Sequence, residues 1–230
     1  MSAGDKKRVS VLGATGTIGR YTCDLIALHP ERFQVVALTA AQNAEKLADL
    51  GVSLGAEYLA IADTRLEENL RRRLEGTGIA CGAGAAGLAE AGARSADLIM
   101  AAIVGAAGLA PTLAALRQGT TVALANKECL VSAGTYFMAE AARCGTTLIP
   151  VDSEHSAVFQ ALDAVGCPHV EKIVLTASGG PFRTWSAEQI SRARPEDALR
   201  HPDWTMGRKI TVDSATLVNK GLELIEACHL

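Results

Sequence analysis

The chain has 230 residues, 49% hydrophobic and 20% charged, with a net charge of -3, and a pI near 6.0. That is enough chain for one large domain or two small ones. It gives no electrostatic case for nucleic acid or an anionic membrane, and with 4% aromatic residues no base-stacking platform is evident. Cys23, Cys81, Cys129, Cys144, Cys167 and Cys228 are widely spaced and form no Cys-x-x-Cys pair, the pattern of a reduced cytoplasmic protein. No secretory signal is visible; a polar start leads directly into a strand.

Arg8-Val9-Ser10-Val11-Leu12 reads as that strand. Gly13-Ala14-Thr15-Gly16-Thr17-Ile18-Gly19 and helical periodicity through Leu28 follow. Strand, glycine-rich turn and helix form the setting a dinucleotide fingerprint requires, since glycine lets backbone approach a pyrophosphate and the helix N-terminus supplies donors. A tight structural turn explains the same glycines. The next strand, 33–40, ends in Ala40-Ala41-Gln42-Asn43. No carboxylate stands there to repel a 2′-phosphate, which favours NADPH over NADH, although no Arg or Lys is immediately adjacent.

A helix is expected over 44–50, a strand at 58–62 and a charged helix over 67–74, whose Arg71-Arg72-Arg73 run reads as a solvated face. Residues 79–81 read as a strand within a glycine- and alanine-rich stretch, 76–87, expected to be loops and close packing. Residues 98–116 carry no charge and are long enough to cross a bilayer. Alanine and glycine make the driving force weak, so 98–104 is read as a buried strand, 105–110 as a loop and Pro111 as the first position of a helix. The strand 121–125 ends in Asn126-Lys127-Glu128, which places Lys127 either at the ligand crevice or on the surface. This strand–helix alternation predicts an α/β fold with a Rossmann-like, doubly wound parallel sheet.

Thr147-Leu148-Ile149 arrives as a further strand, followed by Pro150-Val151-Asp152-Ser153-Glu154-His155-Ser156. If strand geometry persists, Asp152 and Glu154 leave on one side and suit a hard cation such as Mg²⁺ or Mn²⁺. The alternative is that Asp152 and Ser153 cap the helix opening at His155. A strand over 172–176 then runs into Ser178-Gly179-Gly180, either an anion-binding turn or a plain one. His201-Pro202-Asp203-Trp204-Thr205-Met206-Gly207 suggests a mobile lid or a loop anchored by one tryptophan. A helix from Asp213 or Ser214 to about Cys228 places Asn219, Lys220 and Glu223 on one face. They serve there as a phosphate and metal face or as a surface Lys–Glu pair.

Taken in order, these motifs resemble the 1-deoxy-D-xylulose 5-phosphate reductoisomerase family over essentially the whole chain. The resemblance implies conversion of 1-deoxy-D-xylulose 5-phosphate to 2-C-methyl-D-erythritol 4-phosphate, with NADPH and Mg²⁺ or Mn²⁺ (Co²⁺ also) as cofactors. In the family the rearrangement is viewed as retro-aldol then aldol, followed by hydride delivery. It implies a metal held by Asp152, Glu154 and Glu223, with Lys127 and His201 also catalytic. Substrate would meet Ser153, Ser178, His201, Trp204, Ser214, Asn219 and Lys220. The cofactor would meet Thr15, Gly16, Thr17, Ile18, Ala40, Gln42, Asn43, Asn126, Lys127, Glu128, Met206 and Gly207. Gln42 stands where the family often has a basic residue. The resemblance implies an NADPH-binding domain over 1–150 and a partial α+β catalytic domain over 151–230. Family members are much longer, so the C-terminal remainder is expected to be absent, and the rival reading is an NADPH-binding fragment without turnover. A phosphorylated sugar is the expected partner, with no nucleic acid, no membrane and a homodimer in the intact enzyme.

Overall fold

The computed structural model describes residues 6–165, 170–202 and 206–230. By its internal contacts the chain divides into two units, Met1–Asp152 and Ser153–Leu230.

The first unit holds seven strands: β1 (Lys7–Leu12), β2 (Phe33–Ala40), β3 (Tyr58–Ile61), β4 (Ala80–Ala83), β5 (Leu98–Ala101), β6 (Thr121–Leu124) and β7 (Thr147–Pro150). They pair in the order β4-β3-β2-β1-β5-β6-β7, and every pairing is parallel. The connecting helices are α1 (Thr17–Leu28), α2 (Ala44–Leu54), α3 (Glu67–Arg73), α4 (Gly84–Ala93), α5 (Leu109–Leu116) and α6 (Lys127–Cys144). The expected α/β, doubly wound sheet is therefore what the chain forms.

The strands are apolar on both faces because helices cover both. Val9, Val11 and Leu38 pack with Cys23 and Ile26 of α1, Leu47 of α2 and Leu70 of α3. Leu12, Ile99 and Leu124 pack with Leu88 of α4, Leu116 of α5 and Leu130 and Phe137 of α6. Each such fully buried side chain contributes roughly 1.5–3 kcal/mol of transfer free energy. The strand order reverses between β1 and β5, and in such sheets the crevice at the carboxyl ends of the strands at that point receives ligands.

Two expectations in this unit need correction, and a third holds. The 76–87 stretch is no continuous loop: it contains β4 and the start of α4. Its glycines permit close packing, since a Cβ on Gly87 would lie 2.8 Å from the Gly82 carbonyl carbon and one on Gly92 2.3 Å from the Pro111 carbonyl oxygen. Pro111 is the third residue of α5 rather than the first; its missing N–H would have no helical partner there in either case. The uncharged 98–116 stretch divides into β5, a short turn and α5. No described helix is long and apolar enough to cross a membrane.

The second unit contains α7 (Ser153–Val165), α8 (Ala187–Ser191), α9 (Pro195–Ala198), α10 (Arg208–Ala215) and α11 (Val218–Ala227). The expected strand over 172–176 does not form. Its Lys-Ile-Val-Leu-Thr composition favours extended backbone, but a strand also needs a neighbour to complete its ladder. Among the described residues this unit offers none, and Ile173 and Val174 are exposed. The helix expected from 213 or 214 to 228 is two helices. Leu217 adopts φ 60° between them, a conformation that costs a leucine roughly 1–2 kcal/mol. Asp213 and Ser214 consequently lie inside α10 and cap nothing.

Candidate functional site

In the first unit the candidate residues gather where strands end. Gly13 follows β1 with φ +90°, and a Cβ there would lie 2.6 Å from the Ala102 carbonyl oxygen. Its N–H donates to Thr39 Oγ1 at 2.8 Å. A Cβ on Gly19 would lie 2.2 Å from the Gly13 carbonyl oxygen, so only glycine lets α1 cross the turn so closely. Gly16 is the N-cap of α1, with no side-chain cap and no acidic residue in the first turn. Thr17 and Ile18 are exposed beside it. The residues thus form a glycine-shaped anion cradle at a helix N-terminus, a fit for a pyrophosphate.

At the end of β2 the Ala40 side chain is buried in the core, leaving only its backbone for a ligand. Gln42 is exposed. Asn43 caps α2, its Oδ1 accepting from the Lys46 N–H at 3.0 Å. Asn126 is similarly occupied. Its Oδ1 accepts from the Cys129 N–H at 2.9 Å, and its Nδ2 donates to the carbonyls of Ile103 and Gly105. That amide ties the loop after β5 to the start of α6, which makes it a structural clamp. Glu128 lies beside it in the first turn of α6.

Lys127 is no surface lysine: it is 6% exposed, and its ammonium is paired with Asp152. The register explains the meeting, because Leu124 of β6 lies opposite Pro150 of β7 and both residues emerge just past those neighbouring ends. Asp152 is therefore charge-compensated within the first unit.

In the second unit, strand alternation does not orient Glu154, since β7 stops at Pro150 and α7 begins at Ser153. Glu154 projects from the first turn of α7. Ser153 Oγ donates to its Oε2 at 2.6 Å, and Lys220 Nζ of α11 donates to its Oε1 at 2.8 Å. The same ammonium pairs with Glu223, which also accepts from Asn219 Nδ2. Glu223 is completely buried. Burial pushes the Glu154 carboxyl up, but hydrogen bonds from Lys220 and Ser153 outweigh it and hold the group below its ordinary value. Burial pushes Lys220 down, and its bonds to Glu154 and Glu223 carry it above the ordinary lysine value. The nearest oxygens of Glu154 and Glu223 lie within 4.8 Å of one another, a gap that two metal–oxygen bonds of roughly 2.1 Å span with little adjustment. The pair already houses one positive charge, so its donor chemistry fits a hard cation. Lys220 thus joins the carboxylate cluster of α7 and α11 and is not a simple surface Lys–Glu pair.

His201 meets Ser178 at 3.0 Å between ring Nε2 and Oγ. Ser178 Oγ also accepts from the Gly180 N–H at 3.2 Å. Gly179 and Gly180 both have positive φ, and a Cβ on Gly180 would lie 2.7 Å from the Ser214 carbonyl oxygen. Ser178, His201 and Ser214 therefore belong to one locality. Met206 and Gly207 precede α10, with Gly207 as its N-cap; Trp204 lies outside the described residues.

Sequence reasoning missed His155 and Glu226. Both are buried, and His155 Nδ1 faces Glu226 Oε2 at 3.4 Å. The available signal was periodicity: Glu226 lies one turn beyond Glu223 and shares its face.

Residues 9–134 match the family model for 1-deoxy-D-xylulose 5-phosphate reductoisomerase, and residues 148–230 match that for its C-terminal domain. The chain is 55% identical over 230 residues to the 1-deoxy-D-xylulose 5-phosphate reductoisomerase of Rhodopseudomonas palustris (strain BisB18), covering 100% of this chain and 56% of that protein. It is 56% identical over 224 residues to that of Rhodospirillum centenum (strain ATCC 51521 / SW), covering 97% and 56%. A solved structure of the Zymomonas mobilis enzyme in complex with NADPH superposes with a TM-score of 0.89 at 50% identity, over 98% of this chain and 58% of that one. A reductoisomerase structure with NADPH, fosmidomycin and magnesium gives a TM-score of 0.90 at 40% identity, over 97% and 58%. The chain thus spans little more than half the length of the relatives it matches, and over that span it belongs to the 1-deoxy-D-xylulose 5-phosphate reductoisomerase family.

Proposed function

We propose that this chain carries the NADPH-binding part and the cation- and phosphate-binding part of an enzyme converting 1-deoxy-D-xylulose 5-phosphate to 2-C-methyl-D-erythritol 4-phosphate in the non-mevalonate route to isoprenoids. The observation that carries the reading is the convergence of Glu154 and Glu223, from separate helices, on one ammonium, in a chain 50% identical to an enzyme solved with NADPH.

Gly13, Thr15, Gly16, Thr17 and Ile18 would receive the cofactor pyrophosphate on backbone donors. Gln42 and Asn43 would face the adenosine ribose, where the lack of a carboxylate favours a 2′-phosphate. Lys127 offers a fixed positive charge at the end of β6, with Glu128 beside it. Asp152, Glu154 and Glu223 would hold Mg²⁺, Mn²⁺ or Co²⁺, oxygen donors suited to hard cations. When bound, the cation supplies Lewis-acid polarisation of the substrate carbonyl and NADPH supplies the hydride. Ser153 would contact a substrate hydroxyl. The Ser178 hydroxyl, the glycine turn behind it, Ser214, Asn219 and Lys220 would bind the phosphate, with His201 orienting Ser178. Trp204, Met206 and Gly207 would cover the bound ligands. The whole protein is proposed to be a cytoplasmic homodimer.

The test is NADPH oxidation with the pentulose phosphate and Mn²⁺, run on this chain and on the longer Zymomonas mobilis enzyme. Metal-dependent oxidation that requires the phosphorylated substrate supports the reading. Failure of this chain to bind NADPH or Mn²⁺ under conditions where the longer enzyme does would overturn it.

A further inference from the structure

α11 presents Glu223 and Glu226 on one face, and both are buried. His155 of α7 stands against that face. Its Nε2 lies 3.1 Å from the main-chain carbonyl oxygen of Glu223. A carbonyl only accepts, so Nε2 carries the hydrogen and donates. The other nitrogen, Nδ1, faces Glu226 Oε2 at 3.4 Å. One imidazole therefore meets α11 twice, by a hydrogen bond at the backbone of residue 223 and by close packing against the side chain one turn later. Next to it in sequence is Glu154, whose carboxylate meets the same lysine as Glu223. One hydrogen bond and one packed contact together set both the height of α11 along α7 and its rotation about its own axis. A slip of one residue would turn Glu223 by about 100° and carry its carboxylate away from Glu154.

We propose that His155 and Glu226 are positioning residues that aim Glu223 at Glu154 and thereby set the affinity of the carboxylate pair for a divalent cation. This rests on the cation-site reading above. They act on the Glu154–Glu223 pair through the orientation of α11, and carboxylates or carbonyls behind a metal's own ligands commonly change affinity by about 10–100-fold.

The test is equilibrium dialysis of Mn²⁺ with the full chain, alongside thermal unfolding and NADPH affinity. Glu226→Asp keeps the charge but shortens the reach, and Glu226→Gln keeps the reach but loses the charge. If position is what matters, Glu226→Asp weakens Mn²⁺ binding about tenfold or more while Glu226→Gln stays within about threefold of the parent. His155→Ala weakens binding to a similar extent, and His155→Gln, whose amide can donate to the Glu223 carbonyl, recovers most of it. NADPH affinity is unchanged throughout. Should His155→Ala not fold, the two Glu226 variants and His155→Gln still decide the matter. Parent-like Mn²⁺ affinity in Glu226→Asp, or loss in Glu226→Gln alone, would overturn the positioning role. Mn²⁺ binding by the parent no tighter than by Glu223→Gln would instead remove the cation site itself, and the positioning role with it.

Discussion

The two units bury different chemistry. In the first, the interior is built from Val, Leu, Ile, Phe and Ala on both faces of a parallel sheet. In the second, the only described apolar residues that are buried are Ala198 and Ala215, whereas His155, Thr211, Glu223 and Glu226 are buried as well. Leu217, Val218, Leu224 and Ile225 meanwhile face outward. Burying apolar surface stabilises a fold without directional demands. Burying charge is tolerated only when partners are correctly placed, and removing one partner leaves the other uncompensated. The first unit is therefore held by its core. The second depends on ion pairs that double as its candidate chemistry.

The largest expected effect breaks the apolar side of this comparison. Leu59 is fully buried in β3, so Leu59→Ala should cost roughly 2–5 kcal/mol. Chemical denaturation followed by fluorescence or circular dichroism would measure it, with Mn²⁺ affinity of the folded fraction unchanged. The polar side is probed by Lys220→Ala, which should weaken binding of a phosphonate inhibitor by about thirtyfold, or roughly 2 kcal/mol, as read by calorimetry. Unchanged inhibitor affinity would leave Lys220 with only its role between Glu154 and Glu223. Next, Glu223→Gln should weaken Mn²⁺ binding at least about tenfold, near 1.4 kcal/mol, without altering NADPH affinity.

The smallest effect is a pH dependence belonging to the first unit. Hydrogen bonds from Arg143 and then Arg117 lower the Glu140 carboxyl to about 2. A depressed folded-state value means the stabilisation is fully present above the unfolded value of about 4.3 and is lost as pH falls toward 2. Glu140→Gln should flatten the acid limb of the stability curve between those limits. An identical acid limb in the variant would show that the Arg117–Glu140–Arg143 cluster contributes nothing measurable.

How much of this was legible in the sequence follows the same division. The sheet could be read because each strand is a short apolar run closed by a turn, and because Gly13, Gly16 and Gly19 occupy a strand-to-helix junction. α4 was hidden by its own composition: Gly84, Gly87 and Gly92 signal loops, yet Gly87 and Gly92 are there so that backbones can approach. The 172–176 segment has strand composition, but composition cannot supply a pairing neighbour. The break between α10 and α11 falls at Leu217, a residue that gives no warning of a left-handed backbone. Glu154 and Glu223 could be nominated from their motifs. Their link through Lys220, and the support of α11 by His155, depend on α7 and α11 packing together, and neither helix's periodicity states that. Lys127 was ambiguous for the same reason, until the β6–β7 register brought it to Asp152.

The central proposal is that the nicotinamide cofactor is received chiefly by the glycine turn after β1 and the divalent cation chiefly by the carboxylates of α7 and α11. Amide hydrogen exchange measured with NADPH alone and with Mn²⁺ alone tests it most directly. The account predicts that NADPH slows exchange around Gly13–Gly19 and the start of α2 with little change in α7 and α11, and that Mn²⁺ slows exchange in α7 and α11 with little change around the glycine turn. Protection by Mn²⁺ confined to the first unit, or no protection of α11 at saturating Mn²⁺, would contradict it.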